Sequence, residues 1–533
     1  MFGSWLALTV RALRVDSRSW LSHLMRLVFV LVVFAGLLNA HLSQEFYGAP
    51  GLQLFTVLSW MNLFFISLAA VSMFATPITE EKEEATLGLL RMAGIGPLGL
   101  LLGKSSTRVL TVLLILLVQF PFTLLSITLG GVLWDQVLAH YVAAIAYLVF
   151  VGNLGLFCSV VAPRSSNASF MTGVLLLLYL LLPGIAYEMS RGPASMGDPF
   201  MQLIHGIGAV FLASNVWMQQ AMILATGFSG DILSVQVWSN LGAGLLLFGI
   251  SWLTFDFFTR NHLVSVPARG GLLIWRKETR QRSGMSRMLS PGRVWSLPFV
   301  WKDFTFIAGG WPVLVSKFVG YFLIILGITV LQISMSAWGS ERPLEMFGGH
   351  AIWLMLLLGG LEMALLSSKV FREETRWQTL SALLMLPASP AGIAYAKVLG
   401  CSLSTIPAFF WLFTGLVLQP ELFSDLIRDG RGEGVFVIAY MISSFAFFLH
   451  LTAYLSLLMK WGALPAAFGV MVFTYIFGCN CCMAPMMYGG FGPGGGEGFF
   501  YVLFSFLIAF HIILMGFLHF VIGSRLRYLA ERG

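Results

Sequence analysis

An all-α polytopic membrane protein is the fold class this sequence predicts, on three observations. The chain is 58% apolar and only 10% charged, whereas soluble domains carry about 25% charged residues. Apolar runs of about 20 residues recur, each long enough to cross a hydrocarbon core as a helix with its backbone hydrogen bonds closed internally. The runs lack the short alternating pattern that strands of a transmembrane barrel require.

The elements follow from the amino terminus. Arg11, Arg14, Arg18 and Arg26 precede the first apolar run as they would in a signal peptide. The leader is too long and no small-x-small site follows, so a retained first helix is expected. Spans are predicted at 27–44, 52–76, 109–133, 137–161, 168–187 and 235–258, then at 312–335, 349–368, 398–418, 434–459, 462–484 and 499–522, twelve in all. With the amino terminus inside, Arg191, Arg342, Arg428 and Arg431 fall outside, and the other 27 of the 31 Lys and Arg fall inside. That asymmetry places both termini in the cytoplasm of a cell whose inner or plasma membrane holds the chain. It also accounts for the formal charge of +7 without nucleic acid.

Residues 203–228, "LIHGIGAVFLASNVWMQQAMILATGF", are apolar enough to suggest a thirteenth span. Crossing there would deliver the linker cations Arg260, Arg269, Arg276, Lys277, Arg280, Arg282, Arg287 and Arg293 to the outside. A re-entrant or surface-lying helical pair on the outer face is therefore expected, with a single apolar helix on the outer leaflet as the alternative. Three parts result: a first six-helix half over 1–259, a basic linker and lead-in over 260–311, and a second half over 312–533. The linker, with "WRKETRQRSGMSRMLSPGRVW", is basic and rich in Ser, Gly and Pro. "LALTVRALRVDSRSWLSHLMR" and "LPFVWKDFTFIAGGW" each read as a short interfacial helix leading into a half.

The halves echo one another. A shift of 293 residues sets Glu80 on Glu373, Glu81 on Glu374, Thr86 on Thr379, Leu87 on Leu380, Leu90 on Leu383, Pro97 on Pro390, Gly99 on Gly392 and Lys104 on Lys397. Both halves start inside, so the spacing predicts parallel repeats about an axis along the membrane normal. The repeated segment, 79–104 and 372–397, is a charged island between spans. Thr79 can cap a helix whose first turn holds Glu80, Glu81, Glu83 and Glu84; Gly94 and Gly96 stop it, and Pro97 restarts the next. In the copy Leu386 and Pro387 mark the stop, and Ser389 and Pro390 the restart. Leu87, Leu90 and Arg91 share a face, which leaves the acidic turn to meet a basic partner.

Glu81-Lys82-Glu83-Glu84-Ala85-Thr86-Leu87-Gly88-Leu89-Leu90, followed by Gly103-Lys104, resembles the coupling-helix region of type-2 ATP-binding-cassette (ABC) exporter permeases. That family's wording is close to E-K-E-x-G-T-L-E-x-L, then a turn, then G-K opening the third span. This chain has Ala85 where the family tends to have Gly, and the copy departs at Arg376, Trp377 and Gln378. The resemblance implies two six-helix halves fused as a pseudo-dimer around a central path. It implies inner loops that touch a cytoplasmic ATPase, two copies for two loops, and an outer re-entrant pair at 203–228. The second half has instead the Gly-rich "MAPMMYGGFGPGGGEG", so an asymmetric outer vestibule is expected. On this reading Glu81, Glu84, Thr86, Leu87, Leu90, Glu374, Thr379, Leu380 and Leu383 form the ATPase-coupling contact. ATP and Mg would be bound by the partner and no cofactor by this chain.

No G-x-x-x-x-G-K-[ST] loop occurs: "GLLLGKSS" is one residue short and precedes a span instead of following a strand. Neither H-E-x-x-H nor G-x-S-x-G appears, and no catalytic residue is assigned. An ion-gradient-driven secondary transporter also fits twelve spans in two parallel halves, but such a carrier needs no paired inner docking helices. Cys158, Cys401, Cys479, Cys481 and Cys482 lack paired C-x-x-C spacing and read as small buried helix residues, with no metal site. Glu362, His450 and His511 are ionisable at membrane depth and so are functional candidates; the plainer expectation is snorkelling or a hydrogen bond to a neighbouring helix for Glu362, and a hydrogen bond between helices for His450 and His511.

Overall fold

The computed structural model describes residues 10, 14, 20–42, 50–163, 165–189, 199–225, 227–228, 230–264, 293–335, 342–372, 374, 379–386, 389–419, 421, 433–459, 463–488 and 495–532. Among these, every regular element is helical. Most of the first lead-in, most of the linker and the departures Arg376, Trp377 and Gln378 lie outside the described residues.

In the N-terminal half, α1 is Trp20–Leu42 and α2 is Pro50–Ala69, which runs on through a π turn, Ala70–Phe74. Two short helices follow, α3 Pro77–Glu83 and α4 Leu87–Met92, then the long α5 Pro97–Thr128. Next come α6 Trp134–Val161, α7 Ser165–Met189, α8 Pro199–Ala213, α9 Val216–Ile223 and α10 Val235–Val264. The C-terminal half holds α11 Pro298–Phe306, α12 Gly310–Met335, α13 Pro343–Lys369, α14 Leu380–Leu384 and α15 Pro390–Ser402. A 3-10 turn, Leu403–Thr405, joins α15 to α16 Ile406–Leu418, and the chain ends with α17 Glu433–Leu458, α18 Ala463–Tyr488 and α19 Gly495–Arg532.

Nine helices among the described residues are long and apolar enough to cross a membrane, which makes this a multi-pass membrane protein. In α1, α7 and α18, three of the twelve expected spans, the described apolar stretches are the shorter Phe29–Leu38, Asn167–Leu181 and Ala463–Tyr475. Many large side chains turned out of the bundle are apolar, Leu253, Trp353 and Phe520 among them, as lipid-facing positions should be.

One apolar core runs through both halves, from Phe29 and Phe65 through Tyr147 and Leu154 to Leu451, Leu464 and Leu518. Helix α6 reaches the π turn because position 155 is glycine: a Cβ there would sit 2.8 Å from the Phe74 carbonyl carbon. The carbonyl of Met73 within that turn is bonded by the Arg108 guanidinium, which satisfies a group the i→i−4 pattern leaves open.

Residues 203–228 form two helices, α8 of 15 and α9 of 8 residues, each too short to span. Asn215, 2% exposed, makes the break. Its side-chain oxygen caps α9 by accepting from Trp217 N, and its amide donates to the carbonyls of Tyr179 and Leu180 on α7. The Tyr179 hydroxyl donates to the carbonyl of Ser214 at 2.8 Å. A second tie reaches α9 from below, where Asn62 bonds His140 at 3.3 Å and His140 bonds Gln220 at 2.7 Å. Buried amides thus hold the pair against α6 and α7, where an unpaired polar group would be costly.

Candidate functional site

The two charged islands fold as elbows, each a short helix turned back onto a span, at the end of the bundle where α10 runs out toward the linker. Pro77 at the first position starts α3. Gly96 and Pro97 start α5, and Ser389, accepting from Gly392 N at 3.0 Å, caps α15. The sequence expectation of one helix from Thr79 to Gly94 is corrected: the chain breaks at Glu84–Thr86, and α4 begins afresh. Both breaks close in the same manner. Thr86 N bonds Glu81 O and Ala85 N bonds Lys82 O around Ala85 at φ +54, then Ile95 N bonds Leu90 O and Gly94 N bonds Arg91 O around Gly94 at φ +77. This pairing of bonds is the Schellman closure, which calls for a left-handed residue and favours glycine. Ala85 supplies it under strain.

Inside each elbow the same three residue types meet. Glu81 accepts from Thr86 Oγ1 and from Lys104 Nζ, both at 2.5 Å. At the same shift of 293 residues, Glu374 accepts from Thr379 Oγ1 and from Lys397 Nζ, the latter at 2.9 Å, and Thr379 N bonds Glu374 O as Thr86 N bonds Glu81 O. The carboxylate therefore bonds the threonine that opens the short helix and the lysine on the following span, fixing the angle between them.

The second elbow carries more charge. Helix α11 packs on α15 where Gly400 admits the chain, a Cβ there lying 2.7 Å from the Val300 carbonyl oxygen. It delivers Asp303, 1% exposed, to Lys397 Nζ at 2.8 Å, and Lys302 to Glu374 at 2.5 Å. Burial alone would raise the Glu374 carboxyl; Lys397, Lys302 and Thr379 outweigh it and hold it at about 2. For Asp303 burial prevails over Lys397 and the carboxyl is pushed up. The lead-in helix thus buries Val300, Asp303 and Phe304 against the elbow and leaves Phe306 exposed.

The acidic turn of the first elbow does not stand open to a basic partner. Glu80, Glu81 and Lys82 are buried. Lys82 Nζ donates to the carbonyls of Val160 and Ala162 at the end of α6, and Ser159 Oγ accepts from Ile78 N and Thr79 N. Glu83 accepts from Ser165 N at 2.7 Å, at the start of α7. Of the expected contact residues Glu84 is exposed, whereas Leu87 is 1% exposed in a core with Ile78, Leu100, Leu156 and Phe255, and Leu90 packs on that core. Thr379 is exposed and Leu383 half-buried; the Leu380 side chain lies outside the described residues. What the elbows present outward is Leu89 at 61% and Met92 at 73% in the first, Met385 at 86% and Leu386 at 44% in the second. Met92 and Met385 are one repeat interval apart.

Arg91 turns inward, paired with Asp256 near the end of α10 and lying over the Phe255 ring at 5.4 Å; burial lowers its pKa.

The intramembrane candidates separate. Glu362 accepts from Lys317 Nζ at 2.5 Å, Ser404 Oγ at 3.0 Å and Tyr321 OH at 3.1 Å, closing a buried site between α12, α13 and the 3-10 turn. His450 bonds the carbonyl of Ala446 in its own helix at 2.8 Å, and His511 on α19 meets Ser443 on α17 at 3.2 Å. Of the two plain readings for Glu362 the bond to a neighbouring helix is the one made; His511 makes the bond between helices expected of it, whereas His450 bonds within its helix. Cys158 and Cys401 are buried free thiols; the side chains of Cys479, Cys481 and Cys482 lie outside the described residues. Sequence reading missed Asp303, Arg108 and Arg372 at the elbows and His140 in the core. For Asp303 the charged "WKD" inside an aromatic lead-in was the available signal.

No family model, curated protein or solved structure matches the chain.

Proposed function

We propose that this chain is the membrane-spanning permease of an ATP-driven ABC exporter, with both elbows serving as docking points for a separate cytoplasmic ATPase. The recurrence of one closure, Glu81–Thr86–Lys104 and Glu374–Thr379–Lys397, carries the reading. It fixes a short helix rigidly to a span in each half and leaves an apolar tip, Met92 or Met385, turned out of the bundle. A rigid elbow moves with the span it grips, so force applied at its tip becomes rotation of that span instead of being lost in a flexible loop. Exposed methionine suits an adaptable contact with a partner's surface.

On this reading the chain holds twelve spans in two parallel six-helix halves, lies in the cell membrane with both termini cytoplasmic, and acts as a pseudo-dimer served by two ATPase copies that bind ATP and Mg. Contact residues shift accordingly: Leu89, Met92, Met385 and Leu386 touch the partner, with Glu84 at the edge, while Glu81, Thr86, Leu87, Leu90, Glu374, Thr379 and Leu383 position the tips. The test is purification of the complex from its native membrane. Co-elution of a P-loop ATPase, and loss of vesicle transport when the ATPase nucleotide site is disabled, supports the reading. Transport that persists without ATP and follows an ion gradient supports a secondary transporter instead.

A further inference from the structure

Glu80 stands beside the first elbow and belongs to neither closure. Its carboxylate, on a residue 7% exposed, takes donors that include two arginines and a threonine. Arg108 Nη2 lies 2.7 Å from Oε2, and Thr76 Oγ1 and Arg372 Nη2 each lie 3.0 Å from Oε1. Arg108 and Thr76 come from the same half as Glu80 and bond each other at 2.6 Å, so they hold the carboxylate whatever the other half does. Arg372 comes from the other half, just past the end of α13, and its side chain is 22% exposed.

Deeper in the bundle the contact between these halves is mostly apolar. Leu361 on α13 fits against Gly173 on α7, where a Cβ would lie 3.1 Å from its methyl, and Val71 flanks the same glycine. Lys317 adds a cation over the Phe170 ring at 5.9 Å. Apolar surfaces attract without direction; the Glu80–Arg372 pair supplies direction and register at the mouth of that seam.

We propose that Glu80 and Arg372 form a cross-half latch that keeps the halves together at the cytoplasmic end of the bundle and that releases when the halves part. Three features suit a latch better than a permanent weld. Arg372 is partly exposed, so on release its guanidinium gains water at little cost. Glu80 retains Arg108 and Thr76, so release leaves no bare buried carboxylate. The duplication also provides no second copy: one repeat interval from Arg108 stands Cys401, and from Arg372 stands Thr79. The latch is therefore a single, off-axis device, and the halves part asymmetrically about it.

The latch rests on the two-half reading but not on the ATPase, so it is tested without one. Full-length protein, on a background without the native cysteines, is placed in lipid nanodiscs with spin labels at Met92→Cys and Met385→Cys, and the distance distribution is measured by double electron–electron resonance. A second pair at Met92→Cys and Phe257→Cys, both exposed and in one half, reports local unfolding. Arg372→Gln is expected to add a longer-distance population to the cross-half pair, leave the within-half pair unchanged, and be reversed by Arg372→Lys. A cross-half distribution identical to the parent's, or equal broadening of both pairs, overturns the proposal. Failure of an ATPase to bind the elbow tips leaves this result standing, and the converse holds.

Discussion

Removing Lys397 should injure the protein far more than removing its repeat counterpart Lys104, although each lysine bonds one elbow glutamate. Lys397 is 3% exposed at its side chain and bonds Asp303 and Glu374, themselves 1% and 4% exposed. Lys397→Met leaves two buried carboxylates facing each other, with Lys302 attached to Glu374 only and Asp303 Oδ1 already unpartnered. Breaking a buried pair in this way costs about 3–5 kcal/mol, and Lys302 keeps the value near the lower end, about 3. Lys104 is 34% exposed against a Glu81 at 11%, so Lys104→Met costs about 1 kcal/mol or less. The gap of about 2 kcal/mol is roughly 30-fold in the unfolding equilibrium. Equilibrium unfolding in bicelles by titration with SDS measures both variants. Removing the charges as well, in Asp303→Asn/Glu374→Gln/Lys397→Met, should recover most of the loss, because a neutral site lacks the unpaired charges. Equal losses for the two lysine variants, or no recovery in the triple variant, would refute the role given to the triad.

Ala85→Gly should stabilise the first elbow by about 0.5–1 kcal/mol: relief of a left-handed alanine is worth about 1–2 kcal/mol, less about 0.4–1 for the freer unfolded chain, and hydrogen exchange of the Thr86 amide reads the change. Leu87→Glu should lower whole-protein stability by about 3 kcal/mol or more, because it buries a charge in the core around Phe255, whereas Met92→Glu should leave melting unchanged and act only on partner binding; thermal unfolding of the two variants separates these outcomes. Glu374, held at about 2 against an ordinary 4.5, contributes stability that is present above pH 4.5 and lost as pH falls toward 2. Between pH 6 and about pH 3 the Glu374 contribution should fall by about 2 kcal/mol, read as the difference between the parent's profile and the flatter one of Glu374→Gln.

Local stop and restart signals translated into structure, whereas the cap expected at Thr79 did not: helix α3 starts at Pro77 and Thr79 lies inside it. The breaks at Gly94 and Gly96, and the restarts at Pro97 and at Ser389 with Pro390, depend on backbone freedom and capping within a few residues, and each stands where it was expected. The length of the apolar runs likewise pointed to a helical membrane protein, because a helix of about 20 residues closes its own hydrogen bonds across the lipid. Long-range pairing was hidden. Four glutamates within five residues look like a solvated face, and nothing near them announces that Arg108 and Arg372 will enclose Glu80. Asp303 meets Lys397 across 94 positions, a contact set by how α11 packs at Gly400. The break at Ala85 was invisible because alanine carries no left-handed preference; the closure around it forces the conformation. Helix α5 starts at Pro97 and not near 109, since hydropathy marks where lipid begins, whereas the helix starts at its cap.

The central claim is that the elbow tips meet an ATPase, and site-specific photocrosslinking in intact native membranes tests it most directly. A photoreactive residue at Met92 or at Met385 should capture a P-loop ATPase from either position, with the same residue at lipid-facing Leu253 capturing none. Tips that crosslink only to lipid or water, or that react with a reagent confined to the cell exterior, would contradict it.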